Sequence, residues 1–222
     1  MYADLGTASR HAARPASQSR SKPAVFVVND DASVRASLES LIVSAGWQPE
    51  TFESAREFLS HPRPLVPNCL ILDVNLPDLN GLDLQRLVSA ERTDMPVIFV
   101  TGCGDVPMTV RAMKAGAVDF IMKPFSDNLL LASIEQALER SRTALAHESQ
   151  MRVLRDRHAS LSRREQEVMA LVVSGLLNKQ IGFELGISEI TVKAHRGKVM
   201  RKMKAASLAD LVIMAARLSI TH

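Results

Sequence analysis

The first half of the chain alternates short apolar runs with segments of helical periodicity. Three runs rich in Val, Ile and Phe end in polar or turn residues: AVFVVND, NCLILDV and MPVIFVTG. This pattern is typical of parallel strands buried on both faces. Helical patterns lie in ASVRASLESLIVSAG, GLDLQRLVSAERT and DVPMTVRAMKAG, and weaker strands lie around Thr51–Phe52 and in DFIMKP. We predict an α/β domain whose five βα units form one doubly wound, five-stranded parallel sheet.

A long helix is predicted after this domain. Residues 126–160 contain no Gly or Pro and many good helix formers. Leu131, Leu138 and Leu145 recur at a seven-residue spacing, which fits a coiled seam and a solvated linker helix equally well. We predict that the last helix of the first domain extends into a linker helix.

Start and stop signals divide the remaining residues into helices. Ser162 and Glu165 have the spacing of a capping box, and Gly175 ends that helix. The segment NKQIGFEL forms a second helix, Gly186 turns the chain, and Ser188 caps a third helix, EITVKAHRGKVMRKM. Two helices joined by a turn that contains Gly are typical of a helix-turn-helix, so we predict an all-α domain of this kind.

The third helix of this domain carries a cationic face. Val192, Val199 and Met203 repeat at helical spacing and are predicted to face the core. The opposite face carries small and basic residues: Lys193, Ala194, Gly197, Lys198, Arg201 and Lys204. Such a face can enter a DNA major groove, where lysines meet phosphate or guanine and glycine permits close approach. An ordinary solvated basic face is the alternative.

Polar side chains stand where the predicted strands end. They are Asn29, Asp30, Asp31, Asp73, Thr101 and Lys123. The carboxyl ends of parallel strands meet at one rim, where clustered carboxylates repel each other unless a divalent cation neutralises them. Oxygen-only ligands favour Mg²⁺ over zinc, and Thr101 with Lys123 suits a transient phosphoryl group on Asp73. Taken singly, each acid is as readily a turn or helix cap.

Charge separates the two parts of the chain. Residues 24–125 carry eight basic and thirteen acidic side chains, whereas residues 160–222 carry ten and five. An acidic first domain and a basic last domain indicate two tasks. Cys69 and Cys103 are too few for a disulfide scaffold or a four-ligand zinc site.

The N-terminal residues and the hydropathy bear on where the protein acts. Residues 1–23 lack the apolar centre of a secretory signal and are predicted to be a disordered tail. No apolar run reaches the roughly 18 residues of a membrane span. We therefore expect a cytoplasmic protein with no membrane partner.

Residues 24–125 resemble the receiver domain of bacterial two-component response regulators. The resemblance rests on VVNDD, LILDVNLPDLNGLDL, VIFVTGCGD and AMKAGAVDFIMKPF. It implies that Asp73 is the phosphoacceptor and that Asp30, Asp73 and the Asn75 carbonyl hold Mg²⁺. It also implies that Thr101 and Phe120 form a switch pair, that Lys123 contacts the phosphoryl group, and that the Lys–Pro bond is cis.

The sequence departs from the receiver pattern at the first acid. Most receivers carry two adjacent acids where this chain has Asn29 and Asp30. An amide can hold a metal-bound water but adds no charge, so the departure puts Mg²⁺ affinity in question. Asp31, one place later, is less certainly assigned.

The last sixty or so residues are similar to the LuxR-type DNA-binding domain. The pieces NKQI, LGIS and TVKAH carry this similarity, although Gly182 stands where an alanine is usual. His195 lies nearer the buried face and is expected to be a packing residue. The similarity implies dimerisation through the last helix, SLADLVIMAARL, and implies these DNA contacts: Lys179, Thr191, Lys193, Ala194, Gly197, Lys198 and Arg201.

These interpretations divide the chain into four parts. They are a tail (1–23), a receiver domain (24–141), a linker helix (142–159) and a LuxR-type helix-turn-helix domain (160–222). The expected function is that of a NarL/FixJ-type response regulator and not an enzyme: a sensor histidine kinase phosphorylates Asp73, and a homodimer binds promoter DNA and acts on RNA polymerase. A resemblance to rhizobial nodulation regulators implies activation of nodulation genes in response to plant flavonoids.

Two alternatives remain open at this point. The first is an aspartyl-phosphate phosphohydrolase of the haloacid-dehalogenase type, which also combines an Asp nucleophile, Mg²⁺, Thr and Lys on an α/β sheet. That class needs a second acid two places after the nucleophile, and Asn75 stands there. The second is a pseudo-receiver, a DNA-binding regulator controlled by partner contacts without phosphorylation, which Asn29 favours.

Overall fold

A computed structural model describes residues 22–102 and 104–220. Cys103 and all but the last two residues of the predicted tail lie outside the described residues. The described chain folds into an α/β domain, a long helix and an all-α domain, which confirms the predicted fold class. Within the described residues, no helix is both long enough and apolar enough to cross a membrane.

The first domain is built on one parallel sheet in the order β2-β1-β3-β4-β5. Strands β1, β3 and β4 are central and buried along their whole length, as the continuous apolar runs predicted. The strands are β1 (Ala24–Val28), β2 (Gln48–Phe52), β3 (Asn68–Leu72), β4 (Val97–Thr101) and β5 (Asp119–Met122).

Helices cover both faces of this sheet. One face packs a core around Phe26, Phe58 and Phe99, and the other packs a core around Ile42, Ile98 and Leu130. The first four helices are α1 (Ala32–Ser44), α2 (Ala55–Ser60), α3 (Gly81–Glu91) and α4 (Val106–Lys114).

Helix α2 was not among the sequence predictions. It has six residues, too few to show helical periodicity. Its first backbone N–H groups are held from outside the segment: Ala55 and Arg56 donate to the Asp78 carboxylate, at 3.1 and 2.9 Å. The Asp78 contacts leave no local signal in the sequence. The Ser54 side chain, which accepts from the Glu57 N–H, is a local cap that the sequence analysis did not use.

Helix α5 (Asp127–Ala159) runs unbroken through 33 residues, from the receiver-like sheet into the last domain. Leu130, Ile134 and Leu138 pack in the core of the first domain, whereas Leu154 packs in the core of the last. Leu138 is therefore a core residue, and the row of leucines at seven-residue spacing is not a free coiled seam.

The last domain contains the four predicted helices: α6 (Arg163–Val173), α7 (Asn178–Leu185), α8 (Glu189–Met203) and α9 (Leu208–Arg217). The capping box of Ser162 and Glu165 is present, and Ser188 caps α8. Gly186 takes the left-handed conformation, φ 65°, in the turn between α7 and α8. The local start and stop signals thus predicted the bounds of α7 and α8 without error.

Gly182 has a role in this turn that the sequence did not reveal. Its predicted cost is a loss of helix propensity, but a Cβ at this position would lie 2.7 Å from the Ile187 carbonyl oxygen. Gly182 also accepts the Ile187 N–H at 2.9 Å. The missing side chain lets the turn close against α7.

Candidate functional site

The predicted polar rim lies at the point where the sheet order reverses. Strand β1 has β2 on one side and β3 on the other, so the chain winds away from β1 in both directions. In such sheets ligands bind beyond the carboxyl ends of the strands at this point. The Asp73 N–H donates to the Val28 carbonyl at 3.0 Å, which fixes Asp73 beside the residues that follow β1.

Asn29, Lys123 and the Asn75 backbone donate to the Asp73 carboxylate. Asn29 Nδ2 donates to Oδ2 at 2.8 Å, and Lys123 Nζ lies 3.3 Å from the same oxygen. The Asn75 N–H donates to Oδ1 at 3.2 Å. Asp73 is 8% exposed, so the carboxylate is fixed in place yet open on one side. A fixed and accessible carboxylate is what a nucleophile requires.

Asn29 does more than omit a charge. It is buried, its amide N–H donates to Asp73, and its Oδ1 accepts the Asp31 N–H at 2.9 Å. A carboxylate at position 29 could not donate, and it would repel Asp73. Asn29 therefore replaces a repulsive contact with a hydrogen bond.

Asp31 is a helix cap. Its side chain accepts from the backbone N–H groups of Ser33 and Val34, at the N-cap of α1. Hydrogen bonds from the Ser33 hydroxyl and backbone, followed by the Val34 backbone, lower the pKa of Asp31. Of the two acids after β1, Asp31 is used as the N-cap of α1. Asp30, which is exposed, is the acid that remains free to contribute to the polar rim.

Arg35 positions this loop, and sequence reasoning missed it. Its Nη1 donates to the carbonyl oxygens of Asn29 and Asp30, at 2.7 and 2.9 Å. The guanidinium therefore holds the backbone that carries the first acid. An Arg one turn into a helix is common, so its type and spacing give no signal of this contact.

The predicted metal ligands fit Mg²⁺ by chemistry. Asp30, Asp73 and the Asn75 carbonyl are all oxygen donors, the type that Mg²⁺ requires. Only two of them carry charge, and no group of three or more His, Cys, Asp or Glu in the described residues could hold a metal. The donor set therefore suits a site with few protein ligands, where water completes the coordination.

The expected switch pair lies on the two neighbouring strands. Thr101 is fully buried at the end of β4, and Phe120 is partly buried on β5. The Phe120 ring packs 5.7 Å from that of Phe99. A Cβ at Gly104 would lie 2.9 Å from the Phe120 ring, so this glycine gives the ring its space.

Backbone contacts connect Lys123 to the same rim. The Lys123 N–H donates to the Thr101 carbonyl oxygen at 2.9 Å. The Lys123–Pro124 bond is cis, as the resemblance implied.

Gly81 touches the backbone of Asp73. A Cβ on Gly81 would lie 2.4 Å from the Asp73 carbonyl oxygen, far inside van der Waals contact. The Gly81 N–H donates to the Val74 carbonyl at 2.9 Å. Helix α3 can start against the end of β3 only because position 81 has no side chain. Its φ is not positive, so no turn signal identified the residue.

The cationic face of α8 is exposed as predicted. Val192, Val199 and Met203 are buried, whereas the predicted DNA-facing residues of α8 are exposed except for Thr191, which is partly buried. Lys179 is exposed on α7. His195 is partly buried, and its Nδ1 is enclosed. One contact was not predicted: Lys193 Nζ lies 3.1 Å from Glu189 Oε1, one turn earlier.

Buried and half-buried contacts fix α8 from behind. Lys202 Nζ lies 2.6 Å from the buried Glu165 carboxylate, and the hydrogen bond from Lys202 is the main cause of the lowered pKa of Glu165. Arg157, on α5, donates to the Met203 carbonyl at 3.3 Å. These contacts fix the position of α8, so its cationic face points away from the core.

Two family models match the chain. One, described as response regulator receiver domain, matches residues 25–135, and the other, described as bacterial regulatory proteins of the luxR family, matches residues 159–215.

Known proteins resemble the chain over nearly its whole length. Nodulation protein W of Bradyrhizobium diazoefficiens is 50% identical over 204 residues, which cover 92% of this chain and 90% of that protein. Transcriptional regulatory protein FixJ of the same species is 42% identical over 193 residues, covering 87% of this chain and 94% of that one. The solved structure of response regulator StyR has a TM-score of 0.76 at 47% identity, and it covers 89% of this chain and 100% of that one.

Proposed function

The chain belongs to the NarL/FixJ-type response regulators, and from this membership we propose that a sensor histidine kinase phosphorylates it on Asp73. The family makes it a transcriptional response regulator. The observation that carries the finer proposal is the Asp73 carboxylate, held at the sheet's reversal point by Lys123 and by Asn29, whose chain neighbour Asp30 is exposed.

The proposed chemistry is a phosphoryl transfer. An Asp73 oxygen attacks phosphorus, the new O–P bond forms, and the N–P bond of the kinase phosphohistidine breaks. Bound Mg²⁺ would neutralise the charge that the phosphoryl group brings to the rim. The Lys123 ammonium, already 3.3 Å from Asp73, is placed to bind a phosphoryl oxygen. Asp30, Asp73 and the Asn75 carbonyl would hold the ion.

A shallow cleft beside the rim supports a docking place for the kinase. It lies between α1 and the segment after β5, next to Lys123. Ser33, Val34, Ser37, Leu38 and Phe125 line its remainder. The mixture of small polar and apolar groups suits a helix of a partner protein.

Dimerisation on activation is the next step of the proposal. The last helix exposes Val212 and Ile213, in keeping with the expectation for that segment. Helix α4 and strand β5 expose a second apolar set beside the switch residue Phe120: Val106, Val110, Met113 and Met122. Two exposed apolar surfaces on one protein favour association of two copies.

The α8 face supports promoter binding, and a two-fold dimer would place two such helices on successive half-sites. RNA polymerase is the proposed downstream partner, the cytoplasm is the proposed compartment, and activation is the proposed sign of regulation. The proposed domain limits are 24–141, 142–159 and 160–222.

Intact mass spectrometry tests the proposal directly. The protein, incubated with Mg²⁺ and acetyl phosphate, is expected to gain the mass of one phosphoryl group, and Asp73→Asn is expected to gain none. Labelling should also increase the affinity for promoter DNA. A wild type that binds DNA but never gains mass would support the pseudo-receiver, which Asn29 favours. Sustained turnover of phosphoesters would support the phosphohydrolase.

The nodulation role is the finest part of the proposal. It rests on 50% identity to Nodulation protein W, against 42% to FixJ. Chromatin enrichment in flavonoid-treated cells is the test: nodulation promoters should be enriched with the wild type and lost with Asp73→Asn. Enrichment only at other promoters would assign the protein a different set of genes.

A further inference from the structure

The recognition face of α8 contains an apolar residue that the DNA-contact prediction did not include. Ile190 lies in the first turn of α8, two residues after the Ser188 N-cap, and it is 79% exposed. Ile187, three residues earlier, packs against the core of the last domain. The core next to the start of α8 is therefore covered by Ile187 and does not need Ile190.

Ile190 stands at the centre of the exposed face. At about 100° per residue, Gly197 and Arg201 fall within about 20° of it, and the buried Val199 lies about 180° away. Lys193 and Ala194 flank it one turn later. The residue farthest from the core on the first two turns is therefore an isoleucine among cations and small residues.

Helix stability does not account for this isoleucine. A β-branched side chain loses χ1 freedom in a helix, so isoleucine has a lower helix propensity than alanine or lysine. At 79% exposure it gains little from burial in the protein itself. Single exposed apolar residues are common on protein surfaces. Ile190 differs from such residues in its position. It lies on the cationic face of α8 and at the N-terminal end of that helix, the end that enters a groove.

We propose that Ile190 determines specificity by packing on the C5-methyl group of a thymine in each half-site. This inference rests on the proposed DNA-binding function. The N-terminal residues of a recognition helix are those that reach base edges. In the major groove the thymine methyl is the one apolar group that a base edge presents. Gly197, on the same line of the helix, has open space above it and permits the close approach.

The test uses the full-length protein and removes the methyl group alone. Duplexes are selected from a random library with the acetyl phosphate-treated protein, and each thymine of the recovered site is then replaced by deoxyuracil. We expect replacement of the contacted thymine in one half-site to weaken binding about fourfold, and in both half-sites about sixteenfold, from the loss of about one buried methyl each. Ile190→Ala removes both contacts, so it should lose about the larger factor on the thymine duplex and become insensitive to the replacement, while Ile190→Val keeps part of the sensitivity.

The controls separate this inference from the function on which it rests. Val43→Ala removes a β-branched residue that is 58% exposed on α1, far from the recognition face, and should leave every affinity unchanged. Recovery of no preferred duplex would overturn the proposed function. A preferred duplex whose deoxyuracil series is flat, or whose sensitivity persists in Ile190→Ala, would overturn the role of Ile190 alone.

Discussion

At the scale of single residues, the amide of Asn29 determines the charge around the Asp73 carboxylate. Asn29 donates to Asp73 where an acid would repel it, so the proposed metal ligands include two formal negative charges, those of Asp30 and Asp73. Fewer carboxylates weaken the attraction for Mg²⁺ and also reduce their mutual repulsion in the absence of the ion. The proposed Mg²⁺ site would therefore carry less negative charge than one with an acid at position 29.

The first prediction follows from this charge count. Asn29→Asp should raise Mg²⁺ affinity, and Asp30→Asn should lower it by about tenfold or more, since each carboxylate near the ion contributes at least about 1.4 kcal/mol. Isothermal titration calorimetry measures both. Asp31→Asn is the matched control: Asp31 caps α1, Asn caps almost as well, and Mg²⁺ affinity should not change. Equal affinities for wild type and Asp30→Asn would show that Asp30 is not a ligand.

The second prediction concerns Gly81. Gly81→Ala places a methyl 2.4 Å from the Asp73 carbonyl oxygen, so α3 or the end of β3 must shift. We expect a loss of about 1–3 kcal/mol in the free energy of unfolding and slower phosphorylation of Asp73. Urea denaturation and the rate of acetyl phosphate labelling measure the two effects. Gly102→Ala, where a Cβ meets nothing within 4 Å, should change neither as much.

At the scale of elements, α8 is held by an ion pair that depends on pH. Glu165 is buried, caps α6 and contacts Lys202, and its pKa is lowered from 4.5 chiefly by the hydrogen bond from Lys202. A carboxyl whose folded pKa is lowered contributes stability above its unfolded pKa. That contribution is lost as the pH falls through the folded pKa.

The third prediction therefore concerns the pH range below 4.5, where Glu165 loses its stabilising contribution. The wild-type α8 amides should lose protection from hydrogen exchange as the pH falls below this value. Glu165→Gln keeps a side chain suited to the capping box but not the charge, so its protection should be lower at neutral pH and change less on acidification. Glu184→Gln, at an exposed position on α7, is the control. Parallel acid profiles for wild type and Glu165→Gln would contradict the argument.

The fourth prediction separates reading from positioning on α8. Lys193→Ala should reduce the preference for the selected duplex over a scrambled one by about 1–3 kcal/mol, the value of a base contact. Arg201 lies near the end of the helix, so Arg201→Ala should weaken binding to both duplexes alike. The ion pair with Glu189 is exposed and worth at most about 1 kcal/mol, so breaking it should not mask the effect. Equal losses for the two variants would remove the distinction.

At the scale of the whole molecule, local signals were enough to predict most elements. Apolar runs predicted the sheet, the capping box predicted the start of α6, and Gly186 with the Ser188 cap predicted where α7 ends and α8 begins, because each signal is encoded within a few residues. The rim was predictable because parallel strands bring their ends together. The contacts of Arg35, Gly81 and Asp78 were not predictable, since each depends on a partner brought near only by the complete fold.

Helix α5 is the clearest case of this dependence, because its two ends pack in different cores. Ser141 accepts the Asn68 N–H at 2.9 Å and Arg63 lies 2.7 Å from Glu148, so the helix is held to the sheet domain as far as Glu148. Leu154 is 5% exposed in the core of the last domain, and Met151 packs against the same core. The last turns of α5 therefore belong to the DNA-binding unit structurally, although the periodicity of its sequence marks no boundary there.

The fifth prediction uses two fragments that differ by these turns. Fragment 146–222 should fold and bind duplex DNA, with an affinity that falls as salt rises because Lys and Arg displace condensed counterions. Fragment 155–222 lacks Leu154 and should be less stable by about 2–5 kcal/mol, the cost of deleting a buried leucine side chain. Circular dichroism during urea denaturation and DNA titrations at two salt concentrations measure both properties.

Leu154→Ala in the longer fragment should reproduce most of the loss of stability, whereas Val153→Ala, at a neighbour that is 45% exposed, should not. Equal stability of the two fragments would mean that α5 does not stabilise the DNA-binding unit through Leu154. The unit would then start after Leu154, in keeping with the sequence-based limit at residue 160.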